Sequence, residues 1–304
     1  MFRKFHLFDF PKDNTYILLA DDLRQELFIL ACEVAGSQNK LAKRLDTTRQ
    51  TVTRWLKGTI CMPLWALERI LWLIPFRRRP TIEQIERQVI KYQARGGNPV
   101  RNPNLPLIED ERLLRIFFHL AGDGYAGRFA CGVPHYYNTS ATLRKEFVKD
   151  LKVFGDTPVN LQESGARIRF PMIIGYLMKH IYHTSFLSHE VRLHREFWDM
   201  DPIVIAQGVR ALADDEGTVY PYRVRISSSN RMFLEDVFRL LKEKFPKLSE
   251  HVDVRDGGGS YHIIIHSSGI NLFAQTIGFT HPKKHARLKS LLNPACKTLT
   301  DHVF

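Results

Sequence analysis

Two segments of the chain end a helical pattern with an acidic residue and a glycine. Residues 116–124 are IFFHLAGDG and residues 209–217 are VRALADDEG, so Asp123 and Glu216 occupy corresponding positions. Small residues let two helices approach closely, and they lie near both helix ends, at Ala121, Gly122, Ala211 and Ala213. If the two helices pack against each other, the two carboxylates lie side by side. The alternative is two ordinary acidic helix ends that are exposed and far apart.

Two carboxylates held this close repel each other unless a cation lies between them. Hard divalent cations such as Mg²⁺ prefer carboxylate, carbonyl and water oxygens. The candidate metal ligands are Asp123 and Glu216 together with the residues that precede them, Gly122 and Asp215. A nucleic-acid phosphate is a natural further ligand, because the chain is basic. The pattern therefore indicates metal-assisted phosphodiester hydrolysis, in which water attacks the phosphorus and the cation stabilises the developing charge.

The overall charge agrees with a polyanionic partner. The 304 residues include 44 Lys and Arg against 32 Asp and Glu, a net charge of +12, and residues 1–100 contribute +7 of it (17 basic minus 10 acidic). A surplus of this size suits nucleic acid, although it is also compatible with plain solubility. The composition, 44% hydrophobic and 25% charged, is that of a globular protein. No apolar run reaches the roughly 20 residues that a membrane span needs, which argues against a membrane partner.

The chain divides by pattern into two parts. Residues 1–94 show helical periodicity and predict a small all-α domain. Residues 95–108 contain three prolines, three asparagines and two glycines and predict a linker. In residues 109–304 helical runs alternate with strand-like runs, which predicts an α+β domain. A helix, strands and a basic amphipathic helix recur there after about 93 residues, from Gly124 to Gly217, which indicates two similar halves, 109–200 and 201–304.

The N-terminal part contains a motif of its own. Residues 38–45 and 49–56 predict two short helices joined by a tight turn, and Thr48 is a suitable N-cap for the second helix. The outer side of that second helix presents residue types that hydrogen-bond to base edges or phosphates: Arg49, Gln50, Thr53, Arg54 and Lys57. The frame resembles the helix-turn-helix of the phage-repressor and Cro family, with Asp46 where the family usually has glycine. The resemblance implies that this edge contacts the DNA major groove; the alternative is a helical pair that only packs.

The paired acidic segments resemble the motifs of the LAGLIDADG homing endonucleases. Asp123 and Glu216 match the penultimate acidic position of each motif. Further segments that fit the second half of this family follow in order: Ser229-Asn230-Arg231, Asn271-Leu272, Ile277-Gly278-Phe279 and His281-Pro282-Lys283-Lys284. Together the match spans about residues 111–292. The chain departs from the motif where Phe118 and Ala211 replace its glycine, and where Ala121 replaces the earlier acid that Asp214 keeps. Because the Phe118 ring is bulky, it affects the geometry of the helix contact more than it affects the two acids.

The resemblance implies a monomer of two αββαββα halves related by a pseudo-twofold axis, each with a curved antiparallel sheet along the major groove of double-stranded DNA. Alternate side chains on one sheet face would contact bases. The candidates are Tyr125, Arg128, Arg167, Arg169, Tyr220, Tyr222, Arg223 and Arg225. Strand alternation predicts that some of them point the other way. The family also uses a basic residue near the scissile phosphate, for which Lys283 and Lys284 are candidates; a solvated helix start is the alternative.

These features predict a sequence-specific, Mg²⁺-dependent homing endonuclease that cuts double-stranded DNA at a long asymmetric target. By the same resemblance Mn²⁺ would substitute for Mg²⁺, and Ca²⁺ would support binding without cleavage. The alternative is a catalytically inactive DNA-binding regulator or an intron-splicing maturase, whose partner would be intron RNA. A decayed site would often have lost an acid, and both are present, which favours the enzyme. The spacing of the four cysteines fits no zinc or redox motif; they are Cys32, Cys61, Cys131 and Cys296. Together with the lack of a signal peptide, this predicts a cytoplasmic protein.

Overall fold

The first 108 residues combine helices with short strands in the computed structural model, which describes residues 2–127, 132–162 and 165–292. The strands are β1 (Lys4–Phe5), β2 (Tyr16–Leu19), β3 (Met62–Pro63), β4 (Val89–Gln93), β5 (Val100–Arg101) and β6 (Leu107–Ile108). The helices are α1 (Asp21–Ala35), α2 (Gln38–Arg44), α3 (Arg49–Leu56), α4 (Leu64–Leu73) and α5 (Ile82–Arg87). Four of the strands form an antiparallel sheet in the order β3-β2-β4-β5, and β1 pairs with β6.

The prediction of an all-α domain at residues 1–94 is therefore wrong. In β2 the buried Ile17 and Leu19 alternate with half-buried neighbours, which is the period-two pattern of a strand. In β4 the fully buried Tyr92 packs edge-on against Phe10. These strands have only two to five residues, so the longer helical runs around them dominate the sequence pattern.

Residues 95–108 do not form the open linker that their composition predicts. They contain β5 and β6, both of which pair with other strands. Asn102 donates a hydrogen bond to the Asp156 carboxylate at 2.6 Å, and Asn104 donates one to the Lys152 carbonyl at 2.8 Å. Prolines and asparagines here shape turns between short paired segments, and the segment is held against the part of the chain that follows it.

Helices α2 and α3 confirm the two helices predicted at 38–45 and 49–56. The Thr48 hydroxyl accepts the Thr51 backbone N–H and so caps α3. Val52 and Trp55 are buried, as expected for the inner face of α3. In the turn, Asp46 has φ of 50°, the left-handed conformation that glycine adopts without strain and that aspartate tolerates better than most residues.

From residue 109 onward, helices alternate with pairs of strands in two successive runs of elements. The first run is α6 (Glu111–Ala121), β7 (Gly124–Tyr125), β8 (His135–Tyr137), α7 (Ala141–Asp150), β9 (Asn160–Leu161), β10 (Arg167–Arg169) and α8 (Met172–Ile181). The second is α9 (Pro202–Glu216), β11 (Gly217–Tyr220), β12 (Arg223–Ser228), α10 (Arg231–Lys244), the short α11 (Pro246–Ser249), β13 (Val252–Asp256), β14 (Tyr261–His266) and α12 (Ile270–Thr276). Helix α13 (Pro282–Leu292) follows. The chain is thus a mixed α+β protein.

The two runs build antiparallel sheets with matching strand orders, β7-β8-β10-β9 and β11-β12-β14-β13. Residues 257–260 close the β13–β14 hairpin, where the Gly257 N–H donates to the Ser260 carbonyl. Pro221 and Tyr222 form the turn between β11 and β12. No helix within the described ranges is both long and apolar enough to cross a membrane.

Helices α6 and α9 pack tightly against each other at the centre of this second part. Phe118, the bulky departure from the glycine motif, is fully buried there and packs edge-on against Phe117. The facing position on α9 is Gly208, where an added Cβ would lie 2.5 Å from Cδ2 of the Phe118 ring and 2.9 Å from Cγ of Leu114. The first motif has Phe118 in place of its glycine. Helix α9 provides the space for this ring through Gly208, which lies one turn before Ala211.

The Gly208→Ala variant is expected to be less stable than the wild type by about 1–2 kcal/mol, because the added methyl group overlaps the Phe118 ring. In an exposed helix position the same change would be stabilising. The shorter side chain of Phe118→Leu makes room for the methyl group, so the double variant should be more stable than the sum of the two single changes predicts. Urea unfolding of all four proteins measures this coupling, and strictly additive effects would contradict the contact.

Candidate active site and nucleic-acid interface

The two acidic helix ends meet at one place in the fold. At the end of α6, a Cβ added to Gly122 would lie 3.2 Å from Cβ of Asp215 on α9, so the two ends are in direct contact. The residues that follow, Asp123 and Glu216, are half-buried, and the Asp123 charge acts on the Glu216 carboxylate. The structure therefore brings Asp123 and Glu216 together, and the alternative of two distant, exposed helix ends is excluded.

Both carboxylates are costly to ionise in this position. Burial raises the pKa of Glu216 to about 7, and the charges of Asp123 and Asp215 add to that effect. Burial also raises the pKa of Asp123 to about 6, again with a contribution from Asp215. At neutral pH the site therefore holds negative charge that its protein surroundings do not fully balance.

Lys284, whose charge lowers the pKa of both acids, interacts mainly with the backbone. Its ammonium group donates hydrogen bonds to the carbonyls of Asp214 (2.5 Å), Asp215 (3.1 Å) and Ala213 (3.2 Å) at the end of α9. Burial lowers its pKa in spite of the surrounding carboxylates. Lys283 is exposed on the first turn of α13. Of the two predicted basic candidates, Lys284 lies at the site.

Asp215 reaches across from α9 into the first run of elements. Its side chain is fully buried and accepts hydrogen bonds from the Tyr136 hydroxyl at 2.6 Å and from the Asn138 amide at 3.2 Å. His119 Nδ1 pairs with its second oxygen at 2.8 Å. These contacts hold the Asp215 carboxylate within the protein, and Lys284 donates to its carbonyl; the role of Asp215 as a metal ligand stays a prediction.

This buried cluster also contacts Asp123, the first of the two acids that were predicted to be catalytic. The Asn138 amide that contacts Asp215 lies 3.2 Å from the Asp123 carboxylate as well. Burial is the largest single effect on His119 and would lower its pKa, but the charge and hydrogen bond of Asp215 together with the charges of Asp214 and Asp150 outweigh it and raise that pKa. His119, Tyr136 and Asn138 were not predicted from the sequence. The signal for His119 was a polar residue within an apolar helix face, whereas Tyr136 lies within, and Asn138 directly after, a strand that the pattern did not show.

Asp214, the earlier acid of the second motif, forms hydrogen bonds that hold the backbone of a neighbouring segment. Its carboxylate accepts the backbone N–H groups of Thr280 (2.9 Å) and His281 (2.8 Å), which tie the end of α9 to the segment before α13. Burial raises its pKa to about 6, and these hydrogen bonds oppose that rise. Residues 281–284 are therefore held at the site by two sets of contacts: the Asp214 carboxylate binds their backbone, and Lys284 binds carbonyls at the end of α9.

The donor set at the helix ends suits a hard divalent cation. Asp123 and Glu216 supply carboxylate oxygens, and in the part of the chain that the structure describes neither of them forms an ion pair with a basic side chain. No cluster of three or more His, Cys, Asp or Glu side chains placed to hold a metal occurs among the described residues. The protein ligands would accordingly be these two carboxylates, with oxygens of water or phosphate completing the shell.

The sheet candidates lie on the sheet faces that point away from the core. Ile168 is buried while Arg167 and Arg169 on either side of it are not, and Val224 separates Arg223 and Arg225 in the same way. Arg223 and Arg225 both place their guanidinium groups over the Tyr220 ring, at 5.1 and 4.8 Å from its centroid. These four arginines thus share the polar face of their sheets.

The remaining sheet candidates differ in their positions. Tyr125 pairs with His135 at the start of β7–β8. Tyr222 lies in the turn between β11 and β12, with 76% of its side chain exposed, and is therefore not a strand residue. Arg128 lies outside the described residues, as do Cys131 and Cys296. Cross-strand register adds polar residues that the sequence analysis missed on the same faces: His135, Tyr137, Arg255, His262 and His266.

The outer edge of α3 presents four of its five candidates to solvent. Arg49, Gln50, Arg54 and Lys57 are exposed. Thr53 is half-buried, and its hydroxyl donates to the Arg49 carbonyl at 3.0 Å while accepting from the Gln38 amide at 2.9 Å. The hydroxyl of Thr53 is therefore already used within the protein, and it supports the helix pair more directly than it serves a ligand.

Comparison with known proteins agrees with this architecture. Residues 204–278 match the model of a LAGLIDADG-like domain, and no curated protein matches the chain in sequence. The fold is similar to that of the homing endonuclease I-DmoI, solved in complex with DNA and Mn, at 16% identity and a TM-score of 0.40, covering 55% of this chain and 96% of that one. A second structure contains I-DmoI with DNA and Ca.

Two further structures show similar folds. The homing endonuclease I-WcaI bound to its DNA recognition sequence has 10% identity and a TM-score of 0.39, covering 59% of this chain and 85% of that one. Full-length DUF199/WhiA from Thermatoga maritima has 13% identity and a TM-score of 0.38, covering 61% of this chain and 60% of that one. The chain thus contains a LAGLIDADG-like domain, and its structural similarity extends both to homing endonucleases and to WhiA.

Proposed function

We propose that the protein is a metal-dependent, sequence-specific endonuclease that cleaves double-stranded DNA. The observation that supports this most is the meeting of Asp123 and Glu216 at two adjoining helix ends. Two carboxylates with raised pKa values, and with no ion pair to a basic side chain among the described residues, form a site that favours a divalent cation. The polar sheet faces on either side provide arginines for DNA phosphates and bases.

The two halves would be related by a pseudo-twofold axis that passes near the α6–α9 contact, with each sheet following the major groove. Asp123 and Glu216 would hold Mg²⁺, or Mn²⁺ in its place, and the bound cation would stabilise the charge that develops on the scissile phosphate. Asn138 and the Asp215 cluster keep the Asp123 carboxylate oriented. Lys284 fixes the end of α9, from which Glu216 projects, and adds positive charge beside the phosphate position.

The N-terminal part would act as a helix-turn-helix that lengthens the contact with duplex DNA. In this arrangement α3 enters the major groove, and Arg49 and Gln50 near its N-terminus face the bases. Tethering a second DNA-contacting unit raises the effective local concentration and hence the affinity. The chain would act as a monomer, because it already contains both acids.

Cleavage of a randomised duplex library with Mg²⁺, and separately with Ca²⁺, tests the proposed activity. Cutting of a narrow set of long, asymmetric sites with Mg²⁺ alone is the expected result, and it identifies the target. Selective retention of DNA without cutting under either metal would favour a DNA-binding regulator, a function that the similarity to WhiA leaves open. Selective binding to a structured intron RNA would favour a maturase.

Replacing Arg49 and Gln50 together by alanine is expected to weaken binding to the identified target by at least roughly 30-fold, because each good base contact contributes about 1–3 kcal/mol of discrimination and two are removed. The cleavage rate at saturating protein should stay unchanged, since these residues lie outside the acidic site. Fluorescence anisotropy and single-turnover cleavage measure the two quantities. The matched control replaces an exposed arginine and glutamine elsewhere, Arg239→Ala with Gln275→Ala; equal losses in both double variants would reject the helix-turn-helix role.

A further inference from the structure

An exposed aromatic pair lies at the end of α4. The helix ends at Leu73, and Ile74 and Pro75 have the extended backbone that turns the chain away from the helix axis. Trp72 is 73% exposed, and Phe76 is 83% exposed, the largest value for a large hydrophobic side chain among the described residues. Aromatic surface of this extent, held on a short ordered turn, is typical of a binding site rather than of a solvated loop.

Arginines follow the second ring in the chain, and one of them contacts the first. Arg77, Arg78 and Arg79 directly follow Phe76, and together with Arg87 of α5 they line a cleft of about 650 Å³. The Arg79 guanidinium lies over the Trp72 ring, with Cζ 5.4 Å from its centroid. We refer to Trp72, Phe76 and these four arginines as the aromatic–arginine patch.

Part of this positive charge is not neutralised within the protein. Arg78 pairs with Glu33 of α1 at 3.1 Å, and both side chains are half-exposed. Arg77 and Arg87 form no ion pair within the ranges that the structure describes, and both are exposed. The cleft also contains Asp22 and Glu26 of α1 and two glutamines, Gln84 and Gln88. The cleft therefore offers cationic groups together with neutral and acidic hydrogen-bonding groups, and Phe76, which directly precedes its arginines, is exposed.

We propose that the aromatic–arginine patch binds single-stranded nucleic acid. Unpaired bases stack on Trp72 and Phe76, and Arg77 and Arg87 contact the phosphates that connect them. The carboxylates of Asp22 and Glu26 can accept hydrogen bonds from base amino groups, which a purely electrostatic phosphate site would not require. This site is separate from the outer edge of α3 and does not depend on the proposed nuclease activity.

The chemistry of the patch favours this ligand over duplex DNA and over a second copy of the chain. In a duplex the base faces are stacked on one another, so Trp72 and Phe76 would stay in contact with water. In a twofold contact centred on the patch, three consecutive arginines of one copy would lie close to those of the other, and like charges at an interface are costly. An acidic polypeptide would satisfy the arginines but would provide no planar groups for the rings.

The test compares the binding of labelled oligothymidylate and oligouridylate of about 15 nucleotides, a length that matches known single-strand sites, with that of a duplex of equal length. Trp72→Ala and Phe76→Ala are each expected to weaken single-strand binding by about 5- to 100-fold and to leave duplex binding and duplex cleavage unchanged. Trp72 fluorescence should be quenched when either oligonucleotide binds, and this quenching should disappear in Trp72→Phe. The two oligonucleotides distinguish a DNA from an RNA ligand.

Charge is tested separately from stacking. Arg77→Ala with Arg87→Ala should reduce the slope of log affinity against log salt for single strands by about 0.7 per removed contact. The matched control, Lys149→Ala with Lys247→Ala, removes the same net charge from two exposed lysines on α7 and α11 and should leave that slope unchanged.

Three results would overturn the proposal. The first is single-strand binding by Trp72→Ala and Phe76→Ala that equals the wild type. The second is displacement of the oligonucleotide by polyglutamate at equal charge with the same dependence on Trp72, which would indicate an acidic protein partner. The third is a dimer in sedimentation equilibrium that Trp72→Ala dissociates, which would assign the patch to a second copy.

Discussion

Replacing Glu216 by glutamine, or Asp123 by asparagine, is expected to slow cleavage of the target duplex by at least about 100-fold, since even groups that only support a metal ligand typically contribute 10- to 100-fold. Each variant removes one of the two carboxylates that would hold the cation while keeping nearly the same shape. Neither carboxylate forms an ion pair with a basic side chain within the described ranges, so the fold should tolerate both changes. Single-turnover cleavage at saturating protein measures the rate.

Binding of the same duplex separates loss of chemistry from loss of fold. Without metal, the affinity of both variants should stay within about threefold of the wild type, because the arginines of the sheet faces and of α3 are unchanged. Glu250→Gln is the matched control, since Glu250 is exposed and lies after α11; it should cut normally. Wild-type cutting by Glu216→Gln would show that the two acids do not form the catalytic site.

The convergence of the two acids could be predicted because it depends on local signals. A helix ending in an acid and glycine is visible in residues 116–124 and 209–217, and small residues mark a close helix contact. The predicted α3 matches the structure at both ends, since Thr48 caps it and Val52 and Trp55 fix its buried face. Such features depend on the spacing of neighbouring residues, which the sequence shows directly.

The strands of the first 108 residues, and β8, were harder to predict. Strands β5 and β6 have two residues each, too few for an alternating pattern to stand out from the helical runs around them. β8 has three, and its central Tyr136 is buried because its hydroxyl contacts Asp215, which lies 79 positions away in the chain. Contacts over such separations depend on the finished fold.

The same limit applies to the helix interface. Phe118 alone predicts a poor fit at the contact between the two helices. The ring fits because Gly208, on the other helix, has no side chain to overlap it. Asp215 was predicted as a metal ligand from its own segment, which gives no sign that His119 and Tyr136 contact its carboxylate. In both cases the residue type was interpreted from its own segment, while its environment is supplied by the other half of the domain.

Removing the charges of both acids, in the double variant Asp123→Asn with Glu216→Gln, is expected to stabilise the metal-free protein by about 3 kcal/mol near pH 8. The pKa values of about 6 for Asp123 and about 7 for Glu216 lie roughly two units above their ordinary values, and each unit corresponds to about 1.4 kcal/mol. We expect about half of the full sum, because both side chains are partly exposed and solvent screens their charges. Urea unfolding in EDTA measures the difference.

The pH dependence of this difference follows from the direction of the pKa shifts. A carboxyl whose pKa is raised in the folded state binds its proton more tightly there than in the unfolded chain, so deprotonation destabilises the fold. The wild type should therefore lose stability relative to the double variant as the pH rises from about 4 to about 7. Below about pH 4 both proteins are neutral at these positions and should differ little. Glu250→Gln, the exposed control, should show no such window.

Divalent metal should reverse the order of stability, so that the wild type becomes more stable than the double variant. A cation that binds the paired carboxylates only in the folded state stabilises the wild type by mass action, whereas the double variant offers it no carboxylate at this site. Near pH 8, millimolar Mg²⁺ or Ca²⁺ should thus raise the unfolding free energy of the wild type and leave that of the variant unchanged. At about pH 4 the effect should vanish, because the protonated acids no longer attract the cation. Equal stabilisation of both proteins would place the metal elsewhere, and a less stable double variant near pH 8 would mean that the two carboxylates support the fold.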